Sequence, residues 1–393
     1  MRMPEPMAVK LLPLTVLALA LSACTGRPAE PETAANSASA ASAAVDADHE
    51  PDESADKDPL LSEVATPHQV VAEAFVSAAT PKDNLDSPAS WLNADGKLEV
   101  AVTAKKSGEL AIFDGDTGER LRTVGGKGSA PGQMDRPNGI AIMDDLAWVV
   151  ERDNHRVQMF QLPDFTPLLS FGDADLQQPY GLWVHAQDGG YEVMVSDNYM
   201  SAQDKDVPPP LAELDKRFRR YQLKHEGKDW KASLVGSFGD TSEAGAIRIT
   251  ESIWGDVDND RLLLAEEDVA TGTRLREYGL DGKYRGRDVG QGLYQAQAEG
   301  IALKRCTDGS GWWVASDQFK DRTLFHVFDR RSLAHVGSFA GKVTANTDGV
   351  WLDEKGDARF PQGVFYAVHD DQALAAFDWR DIAKALQLPA CPH

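Results

Sequence analysis

Acidic residues cluster at both ends of one predicted β-hairpin, which spans residues 250–268 and reads TESIWGDVDNDRLLLAEED. An apolar pair precedes an Asp/Asn-rich turn, and a second apolar run ends at Glu266 and Glu267. A tight turn of this composition favours two antiparallel strands. Such a hairpin brings Glu251, near its start, to the same edge as Glu266 and Glu267. Because like charges repel, carboxylates gathered at one edge are typical of a cation site.

The first half of this hairpin has six copies along the chain. Equivalent residues of the copies are 50, 42, 71, 48 and 49 positions apart, at Trp91, Ala141, Trp183, Trp254, Ala302 and Trp351. The long step contains an insertion at residues 200–216. A second strand with a polar end and further strand-like runs follow each copy. Six four-stranded units predict an all-β fold, a six-bladed β-propeller with four antiparallel strands per blade.

Three further structural expectations follow from this repeat. Residues 70–76 are predicted to supply the outer strand of the last blade and so to close the ring. Residues 381–386 are predicted to form a short terminal helix. Because Trp183, Trp254 and Trp351 occupy equivalent repeat positions, we expect them to be core residues and not a sugar-binding platform.

In a propeller the innermost strand of every blade starts at one end of the central channel. The heads of the six repeats are therefore predicted to ring that mouth, at Asp86, Asn138, Tyr180, Glu251, Glu299 and Asp348. The ends of the second strands are predicted to form an outer ring, with Lys105, Lys106, Glu151, Arg152, Asp197, Glu266, Glu267, Asp317, His369 and Asp370. Carboxylates are hard oxygen ligands, so this mouth favours Ca²⁺. Zinc is disfavoured because no Cys/His cluster is present.

Simpler roles stay open for single members of the outer ring. His369 could act as a general acid, although a histidine at a strand end is more often a polar cap. Glu151 and Arg152 could form an ordinary surface ion pair, which contributes about 0–1 kcal/mol to stability.

Several of these segments resemble the β-propeller phytases, calcium-dependent bacterial enzymes that remove phosphate from inositol hexakisphosphate. The similarity covers residues 86–386. The matching segments are DSPASW (86–91), KKSG (105–108), YG (180–181), TE (250–251), AEED (265–268), AEG (298–300) and TDG (347–349).

The resemblance implies a Ca²⁺ cofactor and a role for each matching residue. The implied metal ligands are Asp86, Glu251, Glu267, Glu299 and Asp348. The implied substrate-binding residues are Lys105, Lys106, Arg152 and Tyr180, with Glu251, Glu267, Arg152 and Lys105 as the catalytic set. The chain departs from the family at Asp197 and Asn198, where a Lys-Glu pair is usual, and at Gln297, where an Asp is usual. Residues 132–139 and 153–157 resemble an NHL repeat.

These observations lead to three functional hypotheses. The first is a calcium-dependent phosphomonoester hydrolase that acts on inositol hexakisphosphate or a related phosphorylated compound. The second is a non-catalytic, NHL-like propeller that binds a partner at the cell surface. The third is a calcium-dependent propeller of the lactonase or esterase type.

Composition limits the partners of the protein. The 393 residues carry a formal net charge of −22, and no basic stripe suits nucleic acid. An acidic protein repels phosphate unless cations mediate the contact. The resemblance to the phytases implies a small phosphate ester as partner, and we expect no nucleic acid and a monomer.

The N-terminal residues indicate export. Residues 1–24 contain Arg2, Lys10 and a short apolar run that ends in LSAC, which are the parts of a secretory signal. The LSAC segment resembles a bacterial lipobox, which implies lipidation of Cys24, attachment to a membrane and an outer-membrane location facing either the periplasm or the exterior. Residues 25–62 are rich in Ala, Ser, Pro and acids, which predicts a disordered tether. The propeller is predicted for residues 63–393.

Two cysteines remain in the predicted propeller, Cys306 and Cys391. In an exported protein they could form a disulfide or stay as two free thiols.

Overall fold

The computed structural model describes residues 59–392. The predicted signal peptide, the lipid attachment at Cys24 and most of the predicted tether lie outside the described residues. Among residues 59–392, none of the helices has the length and apolar character needed to cross a membrane.

A short N-terminal part precedes the first blade. It contains a one-turn 3-10 helix (Leu61–Glu63) and two short strands, β1 (Gln69–Val70) and β2 (Phe75–Val76). Leu61 is buried against Phe319 and Leu324 of blade 5. Leu61, which the sequence prediction placed in the tether, therefore packs against the propeller.

Six sheets follow in chain order, and we number them as blades. Blade 1 contains β3 (Leu85–Leu92), β4 (Leu98–Ala104), β5 (Glu109–Asp114) and β6 (Arg120–Gly125). Blade 2 contains β7 (Pro137–Met143), β8 (Leu146–Glu151), β9 (Arg156–Gln161) and β10 (Thr166–Phe171). Blade 3 contains β11 (Pro179–Gln187), β12 (Gly190–Asp197), β13 (Phe218–Glu226) and β14 (Asp229–Phe238).

The second half repeats this arrangement. Blade 4 contains β15 (Ile253–Asp256), β16 (Arg261–Glu266), β17 (Arg274–Tyr278) and β18 (Tyr284–Val289). Blade 5 contains β19 (Ala298–Arg305), β20 (Gly311–Asp317), β21 (Leu324–Asp329) and β22 (His335–Ala340). Blade 6 contains β23 (Val350–Asp353), β24 (Val364–His369) and β25 (Ala373–Asp378). The predicted six-bladed propeller is confirmed.

The N-terminal part closes the ring. Strand β2 pairs antiparallel with β25, with Phe75 opposite Ala376, and supplies the fourth strand of blade 6. Of the segment predicted at residues 70–76, Phe75 and Val76 thus form the outer strand of the last blade, as expected, whereas Val70 does not. Strand β1 adds a parallel fifth strand to blade 5, with Gln69 opposite Phe339, which the sequence did not indicate. One segment therefore joins two neighbouring blades.

The core lies between neighbouring blades, because both faces of each sheet are covered. Between blades 5 and 6, Phe325 packs edge-on against Phe365 at a centroid distance of 5.1 Å. The central strands β16 and β24 are almost wholly buried, which explains why their sequences are near-continuous apolar runs instead of alternating ones.

Glycines at the heads of the repeats allow the blades to approach closely around the channel. A Cβ atom on Gly181 of blade 3 would lie 2.0 Å from the carbonyl oxygen of Glu251 in blade 4. A Cβ atom on Gly349 of blade 6 would lie 2.5 Å from the carbonyl oxygen of Asp86 in blade 1. The glycine of the repeat is therefore a packing requirement of the innermost strands.

The hairpin at residues 250–268 forms as predicted. Ile253 of β15 lies opposite Leu264 of β16. The turn between the two strands is a 3-10 helix (Val257–Asn259), which Asp260 ends in the left-handed conformation with φ of 49°.

The insertion at residues 200–216 ends in a 3-10 helix (Leu211–Lys216). Buried Arg217 donates from Nη1 to the carbonyl oxygens of Asp197 and Tyr199, at 2.9 and 2.8 Å, and from Nη2 to that of Arg248. These bonds hold both ends of the insertion beside the loop that leads into blade 4.

The C-terminal residues are fixed in two ways. Helix α1 (Trp379–Ala385) confirms the predicted terminal helix, and Asp378 caps it by accepting from the N–H of Arg380. Cys391 forms a disulfide with Cys306 of the β19–β20 loop, which decides between the two possibilities that the sequence left open.

Candidate metal centre at the channel mouth

The residues at the heads of the repeats meet at one end of the channel, as the repeat predicts. A small cavity of about 20 Å³ lies among them, lined by five of the six predicted residues: Asp86, Asn138, Tyr180, Glu251 and Asp348. Such a volume accommodates about one water-sized group. The sixth residue, Glu299, lies beside Glu251 in the cluster described next.

Three glutamates gather on the side of the mouth formed by blades 4 and 5. Glu251, Glu267 and Glu299 can each present one carboxylate oxygen so that all three oxygens lie within 4.8 Å of one another. Glu267 and Glu299 are buried. The backbone N–H of Glu251 donates to Oε1 of Glu267 at 2.6 Å, which fixes that carboxylate in place.

Two further acids of the mouth are joined through a lysine. Lys105 Nζ lies 3.2 Å from Asp86 Oδ2 and 3.2 Å from Asp348 Oδ2. All three side chains are largely buried, with 7, 4 and 13% of their surface exposed for Lys105, Asp86 and Asp348. Gln318 Nε2 also donates to Asp348. The resemblance implied a phosphate-binding role for Lys105, whereas here its ammonium group neutralises two of the implied metal ligands.

Crowding of the acids changes their proton affinity. Burial raises the pKa of Asp348 well above its ordinary value, Asp371 and Asp86 raise it further, and Lys105 opposes the rise. Burial also raises the pKa of Asp371 to about 6, with Lys105 again opposing. Asp371 is thus a further acid near Lys105 that the sequence analysis did not include.

The other two basic residues of the predicted site, Arg152 and Lys106, lie in different surroundings. Arg152 Nη1 donates to the hydroxyl of buried Tyr180 at 3.3 Å, and Arg152 Nε donates to Asp153 at 2.8 Å. The structure thus brings Arg152 to the mouth. Lys106 is exposed, and its backbone N–H donates to the carbonyl oxygen of Asp83.

Half of the predicted outer ring consists of residues that cap loops. In five blades a side chain at the end of the second strand accepts hydrogen bonds from backbone N–H groups of the loop that leads into the first strand. These residues are Glu151, Asp197, Glu266, Asp317 and His369. The N–H of Ala345, for example, donates to Nδ1 of His369 at 3.2 Å. Of the two roles open for His369, the cap is the observed one.

Glu266 shows the physical consequence of this capping position. Its carboxylate is fully buried and accepts from the N–H groups of Arg248 and Ile249, at 3.0 and 3.1 Å. Burial raises its pKa to about 7, although both hydrogen bonds oppose the rise. Its neighbour Glu267 contacts the mouth instead, because adjacent residues of an extended chain point in opposite directions.

Glu151 also differs from the surface ion pair considered above. It is fully buried and pairs with Arg156 Nε at 2.8 Å, and Gln158 Nε2 donates to it at 2.6 Å. Asn154 donates to the same carboxylate. The NHL-like residues of blade 2 therefore have a structural role inside the blade.

Residues one position after the caps, and Lys105 at the equivalent position of blade 1, lie next to the segments that lead into the heads of the repeats. Lys105, Arg152, Asn198, Glu267 and Gln318 all donate their backbone N–H to the residue two positions before the head of their own repeat. Asn198 and Gln318 were not predicted as site residues. The sequence could have indicated them, because each directly follows a capping acid, as Glu267 follows Glu266.

The glutamate cluster fits a calcium ion. Ca²⁺ takes six to eight oxygen ligands at about 2.3–2.6 Å, so the ligands around one ion lie up to about 5 Å apart. One oxygen from each of the three carboxylates meets this condition, because these oxygens lie within 4.8 Å of one another. The absence of sulfur and imidazole from the cluster disfavours zinc.

The fold and this mouth define the class of protein, a six-bladed β-propeller with a carboxylate cluster at one end of its channel. No protein-family profile matches the chain, and no curated protein matches it. Solved structures similar to it include a nidogen/laminin complex, with 12% identity, a TM-score of 0.45, and coverage of 70% of this chain and 88% of that one.

Two more solved structures are similar to the chain. BBS1N in complex with ARL6DN has 13% identity and a TM-score of 0.45, with coverage of 79% of this chain and 97% of that one. Hydrazine synthase of Kuenenia stuttgartiensis has 9% identity and a TM-score of 0.41, with coverage of 74% and 78%. None of these similarities bears on activity.

Proposed function

We propose that the protein is a calcium-dependent hydrolase of small phosphate monoesters. The observation that carries this proposal is the cluster of Glu251, Glu267 and Glu299 within 4.8 Å. This cluster shares the channel mouth with Lys105 and with the Arg152–Tyr180 pair. A mouth of this kind combines ligands for a hard cation with donors for phosphoryl oxygens.

Glu251, Glu267 and Glu299 would hold Ca²⁺, with the hydrogen bond from Glu251 N–H to Glu267 fixing one ligand beforehand. A bound divalent ion supplies charge neutralisation and lowers the pKa of a coordinated water. Arg152 and the hydroxyl of Tyr180 would orient the phosphoryl group, and Arg152 would stabilise the charge that develops on its oxygens. Lys105 would either remain with Asp86 and Asp348 or turn to the incoming phosphate.

The size of the mouth limits what enters it. A cavity of about 20 Å³ admits about one water-sized group. Only an outer oxygen of a terminal phosphoryl group would therefore enter it, while the phosphorus and the body of the ester stay outside the channel. This geometry favours monoesters and disfavours a phosphodiester, whose phosphorus is flanked on both sides.

The test is release of inorganic phosphate by the purified chain. Substrates are inositol hexakisphosphate and p-nitrophenyl phosphate, with Ca²⁺, with Mg²⁺ and with a chelator. We expect release that depends on Ca²⁺ and falls by about a hundredfold or more in Glu267→Gln, because a metal ligand is lost. Glu243→Gln is the matched control, since Glu243 is exposed and pairs only with Arg248 among the described residues.

The outcomes separate the hypotheses. Absence of phosphate release from both substrates, with saturable Ca²⁺ binding retained, would contradict the hydrolase and favour a binding propeller. Calcium-dependent hydrolysis of a lactone or carboxylic ester without phosphate release would instead favour the esterase-type hypothesis. Release that is equal with and without chelator would contradict the metal mechanism.

We further propose that a lipid on Cys24 anchors the chain to a membrane. The support is the LSAC segment after an apolar run. Metabolic labelling with palmitate tests this, and Cys24→Ser is expected to remove both the label and membrane association. Labelling that persists in this variant would contradict the anchor.

A further inference from the structure

The opposite end of the channel carries tryptophans. Each innermost strand runs from its mouth residue towards this end, where four blades place an indole at the same repeat position: Trp91, Trp183, Trp254 and Trp351. A cavity of about 450 Å³ lies among them, which we call the Trp cavity. A narrow apolar section of about 50 Å³, lined by residues such as Ile140, Ile253 and Val350, separates it from the acidic mouth.

These tryptophans differ from ordinary core residues. Trp148 and Trp313 of the blade cores are 0% exposed. Trp254 and Trp351 are partly exposed and face the Trp cavity. The expectation that these are core residues holds for Trp183, which is 5% exposed. It holds only in part for Trp254 and Trp351, which pack against the core clusters but are also partly exposed to the cavity.

Two of the indoles form perpendicular walls. The ring planes of Trp254 and Trp351 meet at 78° with their centroids 5.5 Å apart. Trp351 Nε1 donates to Ser90 Oγ at 2.9 Å, and Ser90 Oγ donates to Asp353 at 2.7 Å. This chain of hydrogen bonds fixes the orientation of the Trp351 ring and links it, through Ser90, to the carboxylate of Asp353.

The indole of Trp183 is packed closely between its neighbours. Trp183 stacks on His185 with centroids 4.4 Å apart. Its ring lies against the backbone of Gly255, where a Cβ atom would come within 2.3 Å. Burial lowers the pKa of His185 to about 4, with Arg220 lowering it further, so His185 is neutral at pH 7. Trp183 and His185 therefore form an uncharged side of the cavity.

The charged residues at the cavity are mostly acidic. Four acids and two basic residues line it: Asp144, Asp145, Asp353, Glu354, Arg305 and Lys355. Arg305 is already bound to Glu354, with Nη2 2.6 Å from Oε2. Four negative and two positive charges leave a net charge of −2 around the cavity, which attracts cations.

We propose that the Trp cavity binds a small organic cation with an alkylated ammonium group. Indole faces attract such cations, and a desolvated aromatic wall strengthens the attraction. Trp254 and Trp351 would contact the alkyl groups, and the surplus of carboxylates at the rim would supply the countercharge. This site is separate from the acidic mouth, so its test does not depend on the proposed hydrolase.

Choline is the probe, and 3,3-dimethylbutan-1-ol is its neutral control, because carbon replaces nitrogen at unchanged shape. Isothermal titration of the full chain measures both, in a chelator-containing buffer at constant ionic strength. We expect saturable binding of choline and at least tenfold weaker binding of the neutral analogue. Equal affinity for the two compounds, or no binding of choline up to 50 mM, would overturn the proposal. So would tighter binding of an uncharged sugar such as glucose.

Matched variants locate the site. Trp254→Leu is expected to weaken choline binding about tenfold or more, and Trp254→Phe less, since Phe keeps an aromatic face. Trp230→Leu is the control, because Trp230 packs on Tyr191 and His225 away from the cavity lining. Asp145→Asn removes one exposed rim charge without altering the walls and is expected to weaken binding about twofold. Equal losses in Trp254→Leu and Trp230→Leu would overturn the assignment.

Discussion

The backbone N–H of Glu251 donates to Oε1 of Glu267 at 2.6 Å, so the start of the hairpin in blade 4 holds the carboxylate at its end. The strand pairing of Ile253 with Leu264 makes this contact possible. Glu299 of blade 5 completes the cluster. Two adjacent repeats thus build the candidate metal centre, and the remaining acids of the mouth contact Lys105.

Loss of the ammonium group of Lys105 is expected to destabilise the fold. Lys105→Met would leave Asp86 and Asp348 without their shared cation, at a cost of about 3 kcal/mol in free energy of unfolding. Calcium should restore part of this loss, because the two carboxylates would then be available to it. Denaturant unfolding with chelator and with Ca²⁺ measures both effects.

Lys106→Met is the control for that variant, since Lys106 is the exposed neighbour. Its effect is expected to stay within about 0.5 kcal/mol. Equal losses for the two variants would show that Lys105 does not stabilise the mouth.

Adding a side-chain carbon where two blades approach closely around the channel is expected to destabilise the fold. Gly181→Ala would place a Cβ atom 2.0 Å from the carbonyl oxygen of Glu251 and force blades 3 and 4 apart. We expect a loss of about 3 kcal/mol in urea unfolding. Gly236→Ala in β14 is the matched control, because nothing lies within 4 Å of its added carbon. Similar stabilities of the two variants would contradict the close approach.

Much of the fold could be predicted from the sequence, because a repeat of about 50 residues has few ways to bury its strands. The site was harder to predict because capping and mouth-facing residues are adjacent. Glu266 and Glu267 look alike in the sequence, and only the pairing of β16 decides which one faces the mouth. The ion pairs of Lys105 depend on how blades 1 and 6 meet, which no local pattern encodes.

An acid pair between blades 1 and 6 should make stability depend on pH. Burial raises the pKa of Asp116 to about 6, and a hydrogen bond and repulsion from Asp357 raise it further, while Arg359 opposes the rise. Between about pH 4 and 6 the folded chain therefore binds more protons than the unfolded chain, so stability falls as pH rises.

Asp116→Asn removes this dependence. We expect it to be about 1 kcal/mol more stable than the unaltered chain at pH 7, after allowance for solvent screening, and equally stable at pH 4. Thermal unfolding across this range measures the difference. Asp95→Asn, in an exposed turn, is the control. A difference from the unaltered chain that does not change with pH would disprove the role of Asp116.

The disulfide should stabilise the last two blades. Cys306 and Cys391 are 85 residues apart, so their bond constrains a long segment of the unfolded chain. The double variant Cys306→Ser/Cys391→Ser is expected to lose about 2–4 kcal/mol. Reductant should lower the stability of the unaltered chain by the same amount and leave the double variant unchanged. A reductant effect on the double variant would point to another cause.

Calcium titration of the chelator-treated chain tests the central claim most directly. Isothermal titration calorimetry is expected to show saturable Ca²⁺ binding that Glu299→Gln weakens about tenfold or more, because one carboxylate ligand is lost. Glu243→Gln should leave the affinity unchanged. Absence of saturable binding to the unaltered chain, or unchanged affinity in Glu299→Gln, would contradict a calcium site at Glu251, Glu267 and Glu299.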